Sequence, residues 1–504
     1  MICRIAAVRF TVAAITLALA ACAVGPNYHP PVRPMQDGYT HEELPAQTVS
    51  TGVAGPGGEA QRFELGRDVT GEWWTLFGSA KLDALIEQAM ANYPDITAQQ
   101  AVLREAQENV RAEEGNFFPH LGGQAIASRS QTPGSYVYPG LPNFIQNVFS
   151  ATVSVSYTFD IWGGERRSVE ALQAQAVQQG FVLEASYLTL TSNIATQAIQ
   201  VASIREQIAA THQIITLVEQ QLGVVQRRFR LGSQSRADIL LQQSNLATIR
   251  ATLPALQQQL AQAEHQLATL TGRSPRDAEP VEFGLDDLQL PQDLPVSLPS
   301  SLVAQRPDIR QQAAVVHQMS ASIGVATANM LPQLTLYNTS FGNLSTSAST
   351  LAEASSGLWS IGGQIAQPLF EGGALRAKRR AAVDAYDHAV AQYRLVVLQS
   401  FRDVADALTA LQNDAQALEA QRDAVDDAQA SLNLTQRQYA VGAVDSTTLL
   451  QAQQTYQQAR LNYVRALASR YTDTVTLFAA LGGGWWHRND PGTLARLRQE
   501  FPNG

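Results

Sequence analysis

The stretch Phe149-Ser150-Ala151-Thr152-Val153-Ser154-Val155-Ser156-Tyr157-Thr158-Phe159-Asp160-Ile161-Trp162-Gly163-Gly164 changes its period within a few residues. Up to Asp160, apolar and polar side chains alternate, which predicts a strand over 149–160 with one greasy and one wet face. Beyond the glycines the alternation stops. Residues 164–231 hold no Pro and few Gly and are rich in Ala, Gln, Leu and Arg. They predict one helix roughly 100 Å long at 1.5 Å per residue, far beyond a normal globular helix. Val201, Ile208, Ile215, Leu222 and Phe229 recur every seven residues, the seam of a left-handed supercoil.

The unit occurs twice. Pro94-Asp95-Ile96 returns as Pro307-Asp308-Ile309, an offset of 307 − 94 = 213. Phe118-Pro119-His120-Leu121 returns as Leu331-Pro332-Gln333-Leu334 at the same offset, and Gly163-Gly164 as Gly372-Gly373 at 372 − 163 = 209. Leu231-Gly232 with Ile239-Leu240 returns as Val441-Gly442 with Leu449-Leu450, at 442 − 232 = 210. Each match is weak, but the shared order and near-constant offset mark a duplication. The second seam, Leu411, Leu418, Val425, Leu432 and Tyr439, keeps the 210 offset throughout. A second helix follows in each copy, about 237–270 and 446–480. Pro254 predicts a kink in the first, and Val464 stands at the matching place of the second. Gly232 and Gly442 suit the left-handed stop between paired helices, so each copy predicts a long antiparallel hairpin.

Leu121 to Ser130 reads as a weaker partner strand, and Leu334 to Phe341 and Leu358 to Phe370 are the counterparts in the second copy. That makes four strands of about the ten residues a tilted membrane strand needs. Four strands cannot close a barrel, and an open edge cannot sit in lipid. Either they form a soluble sheet or several chains share one barrel. The very long helices favour sharing, because their seams need neighbours. The fold class is therefore α+β, a duplicated unit of strand hairpin and long-helix hairpin.

The chain has 504 residues, 45% hydrophobic and 16% charged, with net charge −9. That charge disfavours a nucleic-acid binder relying on a basic field. The two cysteines, Cys3 and Cys22, cannot build a disulfide framework or a four-thiolate zinc site. Arg4 and Arg9 precede the short apolar run Val12–Ala20, the layout of a secretory signal. No other stretch is an 18-residue apolar run, so a membrane crossing must use strands. Arg376-Ala377-Lys378-Arg379-Arg380 looks like a nucleic-acid patch in isolation. At the start of a long helix in an exported chain, it reads instead as paired with carboxylates or facing a duct. The eight histidines are scattered, with no metal-ligand spacing. No Walker loop or Gly-x-Ser-x-Gly elbow occurs. No catalytic residue, metal or cofactor is assigned.

Leu19-Ala20-Ala21-Cys22 resembles a bacterial lipobox, which implies cleavage before Cys22, acylation of Cys22 and, with Ala at 23, sorting to the outer membrane. Ordinary cleavage nearby would leave a free thiol instead. The mature chain then has 504 − 21 = 483 residues and net charge −9 − 2 = −11. Together with Cys22-Ala23-Val24-Gly25-Pro26-Asn27-Tyr28, the Trp73-Trp74-x-x-Phe77 segment and the two Gly-ended hairpins, the ordered pattern resembles the TolC-like outer-membrane factors, in their NodT-like lipoprotein branch. The resemblance implies a homotrimer in outer-membrane lipid, with 3 × 4 = 12 strands in one barrel continued by a periplasmic helical barrel. It also implies a passive exit duct for drugs or other small toxic compounds. The partners would be a periplasmic adaptor and an inner-membrane pump, proton-driven and of the resistance-nodulation-division type. The alternatives are the exit duct of an ATP-driven protein-secretion system and a non-channel structural coiled-coil lipoprotein.

The expected divisions are a leader 1–21, an acylated segment 22–77, a first repeat 78–272 with long helices 164–231 and 237–270, a linker 273–296, a second repeat 297–480 with long helices 373–441 and 446–480, and a tail 481–504. By resemblance, the adaptor docks on Leu231, Gly232, Ser233 and Gln234 and on Val441, Gly442, Ala443 and Val444, although Gly alone would explain these as turns. Asp238 and Tyr439 match the family's hairpin carboxylate and its tyrosine partner, a hydrogen-bonded latch between hairpins. The plainer reading of Asp238 is an early-helix acid favoured by the macrodipole. Relatives commonly carry Asp nine residues after the second Gly; this chain has Gln451, and Asp445 is a candidate for a displaced carboxylate ring.

Overall fold

The computed structural model describes residues 23–32, 38–51, 57–137, 139–140, 142–277 and 282–488. A four-stranded antiparallel sheet lies at one end, in the order β2 (His120–Thr132), β3 (Phe144–Phe159), β5 (Gln333–Ser345), β6 (Gly357–Ala366). β2 and β6 are its two open edges. Among the described residues nothing covers the sheet: Leu121 is 75% exposed, Trp359 74% and Ile365 73%. Cross-strand rows keep the two faces distinct. Val153, Phe341 and Trp359 form one apolar row, and Phe159, Leu334 and Ile365 another. On the opposite face, Ser154, Ser340 and Ser360 line up, with Ser340 and Ser360 hydroxyls 3.1 Å apart, and Thr158 meets Thr335 at 3.3 Å.

The strand limits differ from the periodicity reading at several ends: β2 runs on to Thr132 rather than Ser130, and β5 to Ser345 rather than Phe341. β3 begins at Phe144 rather than Phe149, because Phe144-Ile145 puts two apolar residues side by side and hides the alternation, yet both pair with β2. β6 ends at Ala366 rather than Phe370, just before Pro368, which has no N–H to offer a ladder. The register slips between Val155 and Tyr157 and between Tyr337 and Ser340; Asn338, in the second slip, has φ 51°.

Two helices of 67 residues, α3 (Gly164–Arg230) and α7 (Ala374–Ala440), run away from the sheet. Each begins after a glycine with positive φ, Gly163 (75°) and Gly373 (87°). Asp160 closes the start of α3: its carboxylate accepts from the backbone N–H groups of Glu165 and Arg166 at 3.1 and 3.2 Å. The shorter helices α1 (Ala80–Asn92), α2 (Pro94–Glu114), α5 (Pro299–Gln305) and α6 (Pro307–Ala328) lie before the strands. Beneath the sheet, α3 packs on α2 and α6, and α6 on α7. The helix order α2-α3-α6-α7 therefore repeats the strand order above it. At the far end, α4 (Arg236–Leu270) folds back on α3 and α8 (Ser446–Ala480) on α7, while α8 also packs on α3. α4 runs through Pro254 as one continuous helix.

The main core lies at mid-height. Trp73, Trp74 and Phe77 from the N-terminal segment pack on Tyr471 and Phe478 of α8 and on Leu190 and Ile194 of α3. Trp73 and Phe478 ring centroids are 5.6 Å apart. Each such buried side chain contributes roughly 1.5–3 kcal/mol before ordering entropy is counted. Beside this core, β1 (Arg62–Leu65) pairs in parallel with β4 (Asp293–Val296) from the segment between the repeats. Arg470, fully buried, donates to the carbonyl of Gly57 at 2.8 Å and to the carbonyl of Glu59, and so ties the N-terminal segment to α8.

Candidate functional site

The two hairpin tips are built alike. Helix α3 ends where Gly232 N–H donates to Phe229 O (2.9 Å) and Ser233 N–H to Arg228 O (3.0 Å). Helix α7 ends where Gly442 N–H donates to Tyr439 O (3.1 Å) and Ala443 N–H to Gln438 O (2.9 Å). This paired closure needs a left-handed residue, and Gly232 and Gly442 have φ 70° and 79°. A side chain at either would meet nothing, so backbone conformation and not space calls for glycine. Leu231 and Val441 project beyond the turns, 83% and 81% exposed. Ser233 and Ala443 are exposed, and Gln234 and Val444 half-buried. Each tip thus presents one exposed aliphatic side chain beside its glycine.

Behind these side chains the hairpins lock together. Ser235 caps α4 in a reciprocal box with Asp238: Asp238 N–H donates to Ser235 Oγ (3.2 Å), and Ser235 N–H and Oγ donate to the Asp238 carboxylate (3.1 and 2.6 Å). The same carboxylate accepts from Ser446 Oγ at the start of α8. These bonds, Ser235 first and then Ser446, hold Asp238 below the usual carboxylate range. Arg228 donates to the carbonyls of Tyr439 (2.8 Å) and Ala440, and its guanidinium lies 5.0 Å from the centre of the Tyr439 ring. The expected Tyr439–Asp238 hydrogen bond is not made within the chain. Ser235 and Ser446 take the carboxylate, and Tyr439 is buried with Val225, Leu432 and Leu449 under Arg228. Burial pushes the Tyr439 hydroxyl upward in pKa.

Asp445 is the N-cap of α8, accepting from Thr448 N–H (2.8 Å) and Oγ1 (2.6 Å), and Gln451 stands exposed on the second turn. The Thr448 bonds hold Asp445 low, so it is anionic at neutral pH. Sequence reading missed Arg228, Ser446 and a buried polar layer just behind them. In that layer Gln242 and Asn245 donate to Gln453 Oε1 at 3.2 and 3.4 Å. The available signal was position: Gln242 and Asn245 fall between Ile239 and Ile249 at seam spacing, and Gln is so common in these helices that it reads as surface.

Cys22 lies outside the described residues. The residues after it sit where sheet meets helix: Val24 N–H donates to Trp162 O (2.9 Å), and Arg167 donates to Asn27 Oδ1 (2.7 Å). Gly163 lets Ala23 approach so closely that a Cβ there would lie 2.7 Å from Ala23 Cα. Among the described residues, no cluster suits a metal ion and no helix is long and apolar enough to cross a membrane.

Residues 85–273 and 298–483 match the family described as outer membrane efflux protein, one match per repeat. The chain is 31% identical over 434 residues to the pyoverdine export outer membrane protein OpmQ of Pseudomonas aeruginosa, covering 84% of this chain and 89% of that one. It is 26% identical over 473 residues to the toluene efflux pump outer membrane protein TtgC of Pseudomonas putida, covering 93% and 94%. Its fold matches the crystal structure of the Campylobacter jejuni CmeC outer membrane channel with a TM-score of 0.81 at 20% identity, over 95% of this chain and 98% of that one.

Proposed function

The chain belongs to the outer membrane efflux protein family, whose members are channels and not enzymes, and from that premise we propose that it is the outer-membrane exit duct of a tripartite pump for small molecules. The observation that carries this reading is the sheet. It has four strands, two open edges, an apolar face and a Ser/Thr face, and no core of its own. Such a sheet is stable in lipid only if its edges are closed by other copies. Three chains supply 3 × 4 = 12 strands, apolar side outward and hydroxyls lining the lumen. The helices beneath continue the wall into the periplasm. A non-channel coiled-coil lipoprotein has no use for this sheet.

Acylation of Cys22 fits the same geometry. The segment after it is pinned at Trp162–Gly163, where strands give way to helices, which is the level of the membrane surface. The exposed Leu231 and Val441 knobs, 3 × 2 = 6 in a trimer, suit the hairpins of a periplasmic adaptor. OpmQ and TtgC are named for pyoverdine export and toluene efflux, which supports small-molecule cargo over protein. The family resemblance of the sequence, rather than these names, is what suggests an inner-membrane partner of the proton-driven resistance-nodulation-division type.

Cysteine crosslinking tests the partner. With Cys3 removed in the leader and Cys22 acylated, Ser233→Cys or Ala443→Cys introduces a single thiol per mature chain. Crosslinking in cells should capture a periplasmic adaptor of a proton-driven pump. Capture of an ATP-driven exporter's adaptor would move the function to secretion. Capture of surface proteins would mean that the hairpins point the other way and that the duct reading is wrong.

A further inference from the structure

The two open edges of the chain carry opposite charge. Beneath β6, the first two turns of α7 present Arg376, Lys378, Arg379 and Arg380, all exposed, and none forms an ion pair or hydrogen bond among the described residues. Beneath β2, the last three turns of α2 carry Glu105, Glu108, Glu113 and Glu114 against Arg104 and Arg111. Both runs have the wrong sign for their own helix. Cations crowd the N-terminal, positive end of α7, whose first turn has no acid, and Glu113 and Glu114 sit at the negative end of α2. Within the chain Glu108 pairs with Arg111 at 2.5 Å and Glu113 accepts from Ser168 Oγ, which leaves Glu105 and Glu114 without a partner among the described residues. Burial, then Glu113 and Asp160, push the neighbouring Glu165 upward in pKa.

Topology brings the edges together in an assembly. The strand order β2-β3-β5-β6 alternates in direction, so β6 of one copy and β2 of the next are antiparallel and can extend the ladder. The helix order α2-α3-α6-α7 beneath them then sets α7 of one copy beside α2 of the next. The heights agree: α7 starts 374 − 366 = 8 residues after β6 ends, and α2 ends 120 − 114 = 6 residues before β2 begins.

We propose that the basic run Arg376–Arg380 of one subunit docks on the acidic end of α2 in the next, forming an electrostatic collar that closes the ring just beneath the membrane barrel. The partner is a second copy of this chain, and the inference rests on the trimeric reading above. Each contact places cations against a helix C-terminus and carboxylates against a helix N-terminus, so it corrects both mismatched macrodipoles at once. It also gives the barrel seam a register that the weakly patterned β2, with Gly122, Gly123, Ala125 and Ala127, cannot specify by side-chain packing alone.

The test is charge reversal and re-pairing, read as the temperature at which the detergent-solubilised trimer band is lost on a gel. Arg376→Glu/Arg379→Glu/Arg380→Glu and, separately, Glu105→Lys/Glu108→Lys/Glu114→Lys should each lower that temperature, and the combined variant should restore it. Trimers of unchanged heat stability in both single sets would overturn the collar and leave the trimer standing. A monomeric wild-type protein would overturn both. If only the α7 set weakens the trimer, the combination fails to restore it, and that set alone loses binding to phosphatidylglycerol vesicles, then the run binds lipid headgroups and the collar is wrong. Because a reversed set can fail to assemble for other reasons, a second measurement uses Lys378→Cys with Glu114→Cys in one otherwise unaltered chain. A bismaleimide should give covalent dimers and trimers; an assembled trimer yielding only monomers would overturn the proposal.

Discussion

At position 238 one carboxylate serves two helices, capping α4 through Ser235 and reaching α8 through Ser446. Replacing Ser235 with Ala removes an N-cap worth ~1 kcal/mol locally. Asp238→Ala removes that box and the bridge together, so it should loosen both tips where Ser446→Ala loosens only the bridge. Protease cleavage near residues 231–236 checks this, with Asp238→Ala cut fastest. The pH dependence has a fixed sign. Asp238 is held below its unfolded pKa, so its contribution is present above about pH 4 and is lost as pH falls through the folded value. Acid should therefore speed tip cleavage in wild type and not in Asp238→Asn. Asp238 and Tyr439 were singled out by resemblance, through their spacing from the tip glycines. Ser446 and Arg228 were not, because they reach Asp238 and Tyr439 only after two hairpins more than 200 residues apart have packed.

The junction of α7 with α8 holds a second titrating feature. Asp473 on α8 lies beside Asp414 on α7, and burial, then that carboxylate, pushes Asp473 up to about 7. Arg470 on α8, held by backbone carbonyls of the N-terminal segment, is the cation that also senses Asp414. An acid whose folded pKa is raised stabilises the fold below its unfolded value, and that stability is lost as pH rises through about 7. Thermal unfolding followed from pH 4 to 9 should show wild type losing stability up to about pH 7 and levelling off above it, and Asp473→Asn should flatten the profile and unfold later at pH 9. Arg470→Ala should release the N-terminal segment and cost about 1–3 kcal/mol, because it leaves the buried Gly57 and Glu59 carbonyls without a donor; protease release of the segment around residues 57–61 reports it. Helices of this kind were plain in the sequence, because seams of seven survive any detail of packing. The Asp414–Asp473 contact was not, since both residues read as ordinary solvated acids on a helix face. Likewise β3 lost its first five residues to a local break in alternation that only its pairing with β2 repairs.

For the molecule as a whole, the duplicated pattern disclosed a four-stranded sheet with two open edges, and the proposed trimer would give single residues threefold weight at the tips. Asp445 contributes three carboxylates to a trimer, each kept ionised by Thr448, whereas Gln451 contributes none. A ring of fixed negative charge at a constriction concentrates cations and repels anions, so its removal lowers cation selectivity. Asp445→Asn is a clean probe, because Asn caps a helix about as well as Asp and leaves the fold of α8 intact. In planar bilayers with a salt gradient, Asp445→Asn should shift the reversal potential toward zero, and Gln451→Asp should shift it toward the cation limit. The double variant Asp445→Asn/Gln451→Asp should separate the two positions: selectivity above wild type means that the constriction lies nearer residue 451. A strongly cation-selective wild-type channel that neither substitution alters would place the selecting charge elsewhere in the duct and end the tip-ring account.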